Sequence, residues 1–157
     1  MGPLAQAEAD TLRAIEKLLT NPNSVRIPEQ GTTKIHPVHY FREEKRNDNM
    51  SVSTYRGKID AMKVSYRLLY NNNIVLIRID THDRTKHINP DKTVIQPMQP
   101  HIHIYSEQYG DKVAYPLPQE FSNANDIIVL LLDFLSYSNI INVNKVQIAE
   151  QGVLFNA

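Results

Sequence analysis

Three features predict an α+β fold. Short stretches with strict apolar/polar alternation fill the middle of the chain, an amphipathic segment precedes them, and an almost wholly apolar segment of helical length follows. The expected architecture is an antiparallel sheet of about five to six strands, connected as a meander and packed against an N-terminal helix and a C-terminal apolar helix. The 157 residues suit one domain, 1–157, large enough to bury a core.

The first predicted element is a helix over 5–19, where Leu12, Ile15 and Leu19 recur at three- and four-residue spacing until Asn21-Pro22 stops the run. Strands are expected near 34–42, 50–56, 61–70, 73–80, 101–106 and 111–116. Between the first two, Arg42-Glu43-Glu44-Lys45-Arg46 reads as a solvated turn of mixed charge. The pair 61–70 and 73–80 reads as a hairpin. Keeping Met62, Val64, Tyr66 and Leu68 on one face with Val75, Ile77 and Ile79 requires an even loop, because a one-residue slip flips a strand. An Asn71-Asn72 turn meets this and sets Lys63 opposite Asp80. The alternative, Asn72-Asn73, sets Arg67 opposite Arg78, a repulsive pair, so the first is preferred. A long polar loop rich in proline spans Thr81 to Pro100, and loops of that length are often functional. Ser122 or Asn123 can cap a last helix running to about Ser136, with Asp126 near its positive end. The tail from Asn144 to Phe155 fits a strand or a short helix equally.

Composition narrows the chemistry. There is no cysteine, which removes disulfides, thiolate nucleophiles and Cys-based metal sites. The amphipathic N-terminus lacks the apolar centre of a signal peptide, and the most apolar run, Ile127 to Leu135, is far shorter than the ~20 residues of a membrane span. A cytoplasmic protein without membrane contact is the expectation. The five glycines form no phosphate loop or dinucleotide fingerprint, and no GxSxG occurs. Net charge is zero, yet residues 34–92 carry twelve Lys and Arg against seven acids, and all six histidines lie between 34 and 103. A basic, histidine-rich middle suits an anionic partner such as RNA, although solvated surface charge accounts for it as well. Tyrosines among these basic residues, such as Tyr55 and Tyr66, fit base stacking or half-buried strand positions.

In a strand, His101, His103 and Tyr105 share one face while Ile102 and Ile104 enter the core. Joined to the hairpin's sheet, that polar face would display Lys63, Arg67, Arg78, Asp80, His101, His103 and Tyr105, with His87 supplied by the loop. Two chemistries fit. Without metal, His101 and His103, helped by Tyr105, would carry acid–base cleavage at a ribose 2′-hydroxyl while Lys63, Arg67 and Arg78 meet the phosphate charge. No cofactor is expected in that version. In the other, His101 and His103 with Asp80 or His87 hold a divalent metal that keeps a position open for water.

The stretches Arg78-Ile79-Asp80, His87-Ile88-Asn89-Pro90-Asp91, Pro100-His101-Ile102-His103-Ile104-Tyr105 and Tyr109-Gly110-Asp111 through Pro116-Leu117 resemble the core of an uncharacterised family of short bacterial proteins of prophages and genomic islands. The resemblance runs over roughly positions 5–140. This chain has Lys92 where the pattern has Gly after Asn-Pro-Asp, and Val113 where it has Trp. The order of elements is more loosely similar to toxin components of bacterial toxin–antitoxin modules. Together these readings imply a toxin-like protein of a mobile element that acts on RNA, with RNA or an antitoxin as partner. The alternative is a non-enzymatic anti-defence protein that binds and inhibits a host defence complex.

Overall fold

The computed structural model describes residues 3–42, 46–150 and 153–154. Glu43, Glu44 and Lys45 of the mixed-charge turn, and parts of the tail, lie outside the described residues. Helix α1 (Gln6–Ala14) leads into strand β1 (Lys17–Leu19), followed by β2 (Thr33–Tyr40), β3 (Met50–Arg56), β4 (Val64–Tyr70) and β5 (Ile74–Asp80). The excursion after β5 contains a small hairpin, β6 (His87–Ile88) and β7 (Val94–Ile95). Strands β8 (His101–Ile104) and β9 (Ala114–Pro116), helix α2 (Ile127–Tyr137) and the short pair β10 (Ala149–Glu150) and β11 (Val153–Leu154) complete the chain. The main sheet has seven strands in the order β1-β2-β3-β4-β5-β8-β9, and its neighbours pair antiparallel. This is the expected α+β meander, with β6–β7 inserted as a separate two-stranded ribbon. No helix among the described residues is long and apolar enough to cross a membrane.

One face of the sheet carries the core. Val64, Tyr66 and Leu68 of β4, Ile77 and Ile79 of β5 and Ile102 of β8 join Leu12 of α1 and Leu130, Leu131, Phe134 and Leu135 of α2 in a single apolar cluster. Burying residues of that size is worth about 1.5–3 kcal/mol each, so this face dominates the stability. The Tyr66 hydroxyl, buried within the cluster, donates to the Ile127 carbonyl at 2.7 Å and ties the sheet to the start of α2.

Three expectations are corrected. The predicted helix over 5–19 ends at Ala14, because Lys17–Leu19 pairs with β2 as the edge strand of the sheet, and those ladder bonds outweigh a helical apolar spacing. The ammonium of Lys17, fully buried, donates to the carbonyls of Arg13, Ile15 and Ser138 and so locks that change of direction. The cap of α2 is Asp126, whose carboxylate accepts from the backbone N–H groups of Ile128 and Val129. Ser122 instead donates to Asp133, and Asn123 closes a local turn onto Asn125.

The third correction concerns the hairpin. Its loop has three residues, Asn71 to Asn73, with Tyr70 opposite Ile74, and an extra residue in β5 shifts the register beyond Leu68. An odd loop plus a one-residue bulge restores the parity that the apolar faces demand. Asn71 and Asn72 supply the positive φ of the turn, at 51° and 68°. Past the bulge, Ser65 lies opposite Asp80, and Arg67 lies opposite Arg78. Lys63 therefore does not face Asp80 across the ladder. The same irregularity redirects Tyr105. Its N–H bonds to the Leu76 carbonyl beside the bulge, and both side chains enter the core.

Candidate functional site

The polar face of β3, β4, β5 and β8 holds the site. Antiparallel pairing places Asp80 directly across from His101 and Arg78 directly across from His103. Strand alternation then brings Ser65, Arg67, Arg78, Asp80, His101 and His103 onto one surface; of the residues expected on this face, Tyr105 does not join them. Tyr105 lies on the core side, where its hydroxyl donates to the Leu4 carbonyl and accepts from the Leu4 N–H. It anchors the N-terminal segment and takes no part in the histidine cluster.

His101 and His103 are both buried, at 2% exposure, although they lie on the face opposite the main core. The 81–100 excursion explains this. Its ribbon folds back over the sheet, the His87 ring meets the His103 ring edge-on with centroids 5.4 Å apart, and Ile95 is buried beneath it. Asn89 pins the ribbon. Its amide donates to Thr93 Oγ1 and the Ala114 carbonyl, and its oxygen accepts from the Ala114 N–H and the His87 ring. The loop read from sequence as a long polar, proline-rich stretch is in part a cover. Lys92, in the turn of this ribbon, has φ +74°, a backbone conformation that suits the glycine of the resembled pattern.

Inside the cover the groups are tightly partnered. Arg78 donates from Nε to Asp80 at 2.9 Å and from Nη1 to Asp111 at 2.7 Å, while Nη2 lies 3.1 Å from His103 Nε2. Asp80 Oδ2 is 3.4 Å from His103 Nε2 and 3.7 Å from His101 Nε2. Burial pushes the Asp80 pKa up, but the neighbouring His103 ring, the charge of Arg78 and the Ser65 hydroxyl hold it well below the usual carboxylate range. Asp80, His101 and His103 are the described residues whose ligand atoms cluster closely enough to hold a metal ion.

An open cleft of about 280 Å³ borders this cluster, and Lys63, Arg67, Arg78, Asp80 and Asp83 line it together with Tyr55. His101 and His103 do not line it; they sit behind Asp80. Lys63 is held by Asp83, and Arg78 by its two aspartates. Among the described residues Arg67 bonds only to Ser65 Oγ, at 3.3 Å, and forms no ion pair. A larger cleft of about 480 Å³ shares Tyr55, Lys63 and Asp83 with it and adds Lys58, Arg84 and the Asp60–His82 pair. That pair is bonded at 2.7 Å, which holds the Asp60 carboxyl below its usual range. His82 has φ +57°, an uncommon conformation for a residue with a side chain.

Four contributors escape the sequence reading: Asp83, Asp111, and the carbonyls of Gln99 and Asp111, which accept from Nδ1 of His101 and His103 at 2.8 Å each. They come from loops, where no periodicity fixes direction. For Asp111 the signal was its place three residues ahead of a strand that pairs with the histidine strand. A family model matches residues 4–140, spanning α1 through α2. The chain belongs to DUF6978, a family of unknown function. No curated protein and no solved structure matches it. The match to DUF6978 covers every residue of the cluster and both clefts.

Proposed function

We propose that this DUF6978 member acts on RNA in the cytoplasm, as a toxin-like protein of a bacterial mobile element, and that the cleft over β4 and β5 receives the phosphate backbone. The supporting observation is Arg67. It stands directly across the ladder from Arg78, whose charge Asp80 and Asp111 meet, while Arg67 itself has no ion-pair partner among the described residues. A phosphate beside Arg67, Arg78 and Lys63 supplies negative charge, and the two Nη groups of Arg67, which have no partner among the described residues, offer it a bidentate contact. Tyr55, on the cleft wall, offers a ring for a neighbouring base. The two adjoining clefts together present five Lys and Arg against three Asp, which favours a polyanion over a cation.

In this reading the buried histidines do not touch the sugar. Asp80 is the member of the cluster that reaches the cleft, and His101 and His103 fix its position and charge from behind. The test is induced expression in bacteria, wild type beside a Lys63→Ala/Arg67→Ala double variant, with the RNA of both cultures mapped for new ends. Growth arrest with new RNA ends from wild type alone is the expected result. Growth unaffected by the wild type, with intact RNA, overturns the proposal and favours the anti-defence reading, in which a protein partner is bound.

A further inference from the structure

The histidine cluster has a feature that packing does not explain. A carbonyl oxygen only accepts, so the bonds from Nδ1 of His101 to Gln99 and from Nδ1 of His103 to Asp111 place a proton on each Nδ1. In the neutral rings, both Nε2 lone pairs then point at Asp80. Two lone pairs and a carboxylate that converge in a buried space repel one another unless a cation joins them. For His103 the Arg78 guanidinium is that cation. Among the described residues no donor faces His101 Nε2, only Asp83 Oδ2 at 3.5 Å and Asp80 Oδ2 at 3.7 Å.

We propose that this space binds one divalent transition-metal ion, with zinc the best match, through Asp80 Oδ2, His101 Nε2 and His103 Nε2. Three arguments carry it. Zinc bonds of 2.0–2.1 Å in a tetrahedron separate adjacent ligand atoms by roughly 3.3 Å. The separations of 3.4 Å for His103–Asp80, 3.7 Å for His101–Asp80 and 3.5 Å for His101–Asp83 lie within a few tenths of an ångström of that edge. The second argument is the pair of carbonyl bonds, which fix ring tautomer and orientation as outer partners of metal-bound histidines do. The third is the donor set: two imidazoles and one carboxylate, with no thiolate, suit zinc and its neighbours and not calcium or magnesium.

Asp83, already within reach and on the cleft side, either completes the coordination or leaves the fourth position to water. Arg78 holds the site's charge until the ion enters, then keeps Asp111, to which Nη1 is already bonded. The inference stands on the cluster's own geometry and holds whether or not the cleft takes RNA.

The experiment is calorimetric titration of the chelator-stripped full chain with zinc chloride, beside Asp80→Asn, His101→Ala, His103→Ala and, as a nearby non-ligand, His87→Ala. One equivalent is expected for wild type and for His87→Ala, with affinity lowered at least ~10-fold in each of the other three. Arg78→Gln, which removes the competing cation and no ligand, should bind at least as tightly as wild type. X-ray absorption at the zinc edge of wild type provides a readout that needs no variant, and two imidazole nitrogens at about 2.0–2.1 Å are expected. Less than a tenth of an equivalent bound by wild type overturns the proposal. So does a zinc shell with one imidazole or none.

Discussion

Replacing His36 by Leu should stabilise the protein and remove part of its acid sensitivity. His36 lies on β2 across from Val52, is 6% exposed, and its Nε2 is buried without a hydrogen-bond partner. Burial, with the charges of Lys34 and Arg26, pushes its pKa down from 6.5 to about 4. The unfolded chain therefore binds the proton more tightly than the folded one. The stability tied to His36 is complete above pH 6.5 and is lost as pH falls toward 4. With those two pKa values, linkage predicts that this residue alone costs about 1.8 kcal/mol between pH 7 and pH 5. At pH 7 the Leu variant should already gain about 1 kcal/mol, because a buried unsatisfied nitrogen is removed. Urea unfolding followed by far-ultraviolet circular dichroism measures both, since the chain has no tryptophan. At a slope of about 2 kcal/mol/M, the midpoint advantage of the variant should widen by about 0.9 M from pH 7 to pH 5. Parallel losses in the two proteins over that range would show that His36 does not carry the acid sensitivity.

Other consequences follow from the cover and its turn. Lys92→Gly should raise stability by about 1 kcal/mol, because φ +74° strains any residue with a Cβ; a melting temperature about 2–4 °C higher is the expected sign. Asn89→Ala removes four hydrogen bonds, two within the ribbon to His87 and Thr93 and two to Ala114 of β9, and should cost about 2–4 kcal/mol. Hydrogen exchange should show residues 87–95 opening first in that variant, and unchanged protection there would contradict the role given to Asn89.

The sheet was legible because its strands alternate strictly. Val64, Tyr66 and Leu68, then Ile77 and Ile79, announce their face, and His101 and His103 announce theirs by exclusion of Ile102. The register was not legible, because a three-residue loop with a bulge and a two-residue loop without one satisfy the same parity, and nothing local separates them. Avoiding an Arg67–Arg78 pair was a sound rule that gave the wrong pairing: Asp80 and Asp111 partner Arg78, and only the fold reveals that Asp111 reaches it. Tyr105 was misplaced for the same reason, since the alternation of β8 ends beside the bulge. Lys17 shows the limit of helical spacing, because its three carbonyl partners come from two ends of the chain.

The cleft containing Arg67 is proposed to receive RNA phosphate. Fluorescence anisotropy of a labelled single-stranded RNA across a salt series tests it most directly. Three phosphate contacts, by Lys63, Arg67 and Arg78, predict a slope of log affinity against log salt near −2, at about 0.7 per contact. Arg67→Ala should weaken binding and flatten that slope by about 0.7. Binding by wild type with the same affinity and slope in Arg67→Ala, or no binding by wild type at low salt, would contradict the claim.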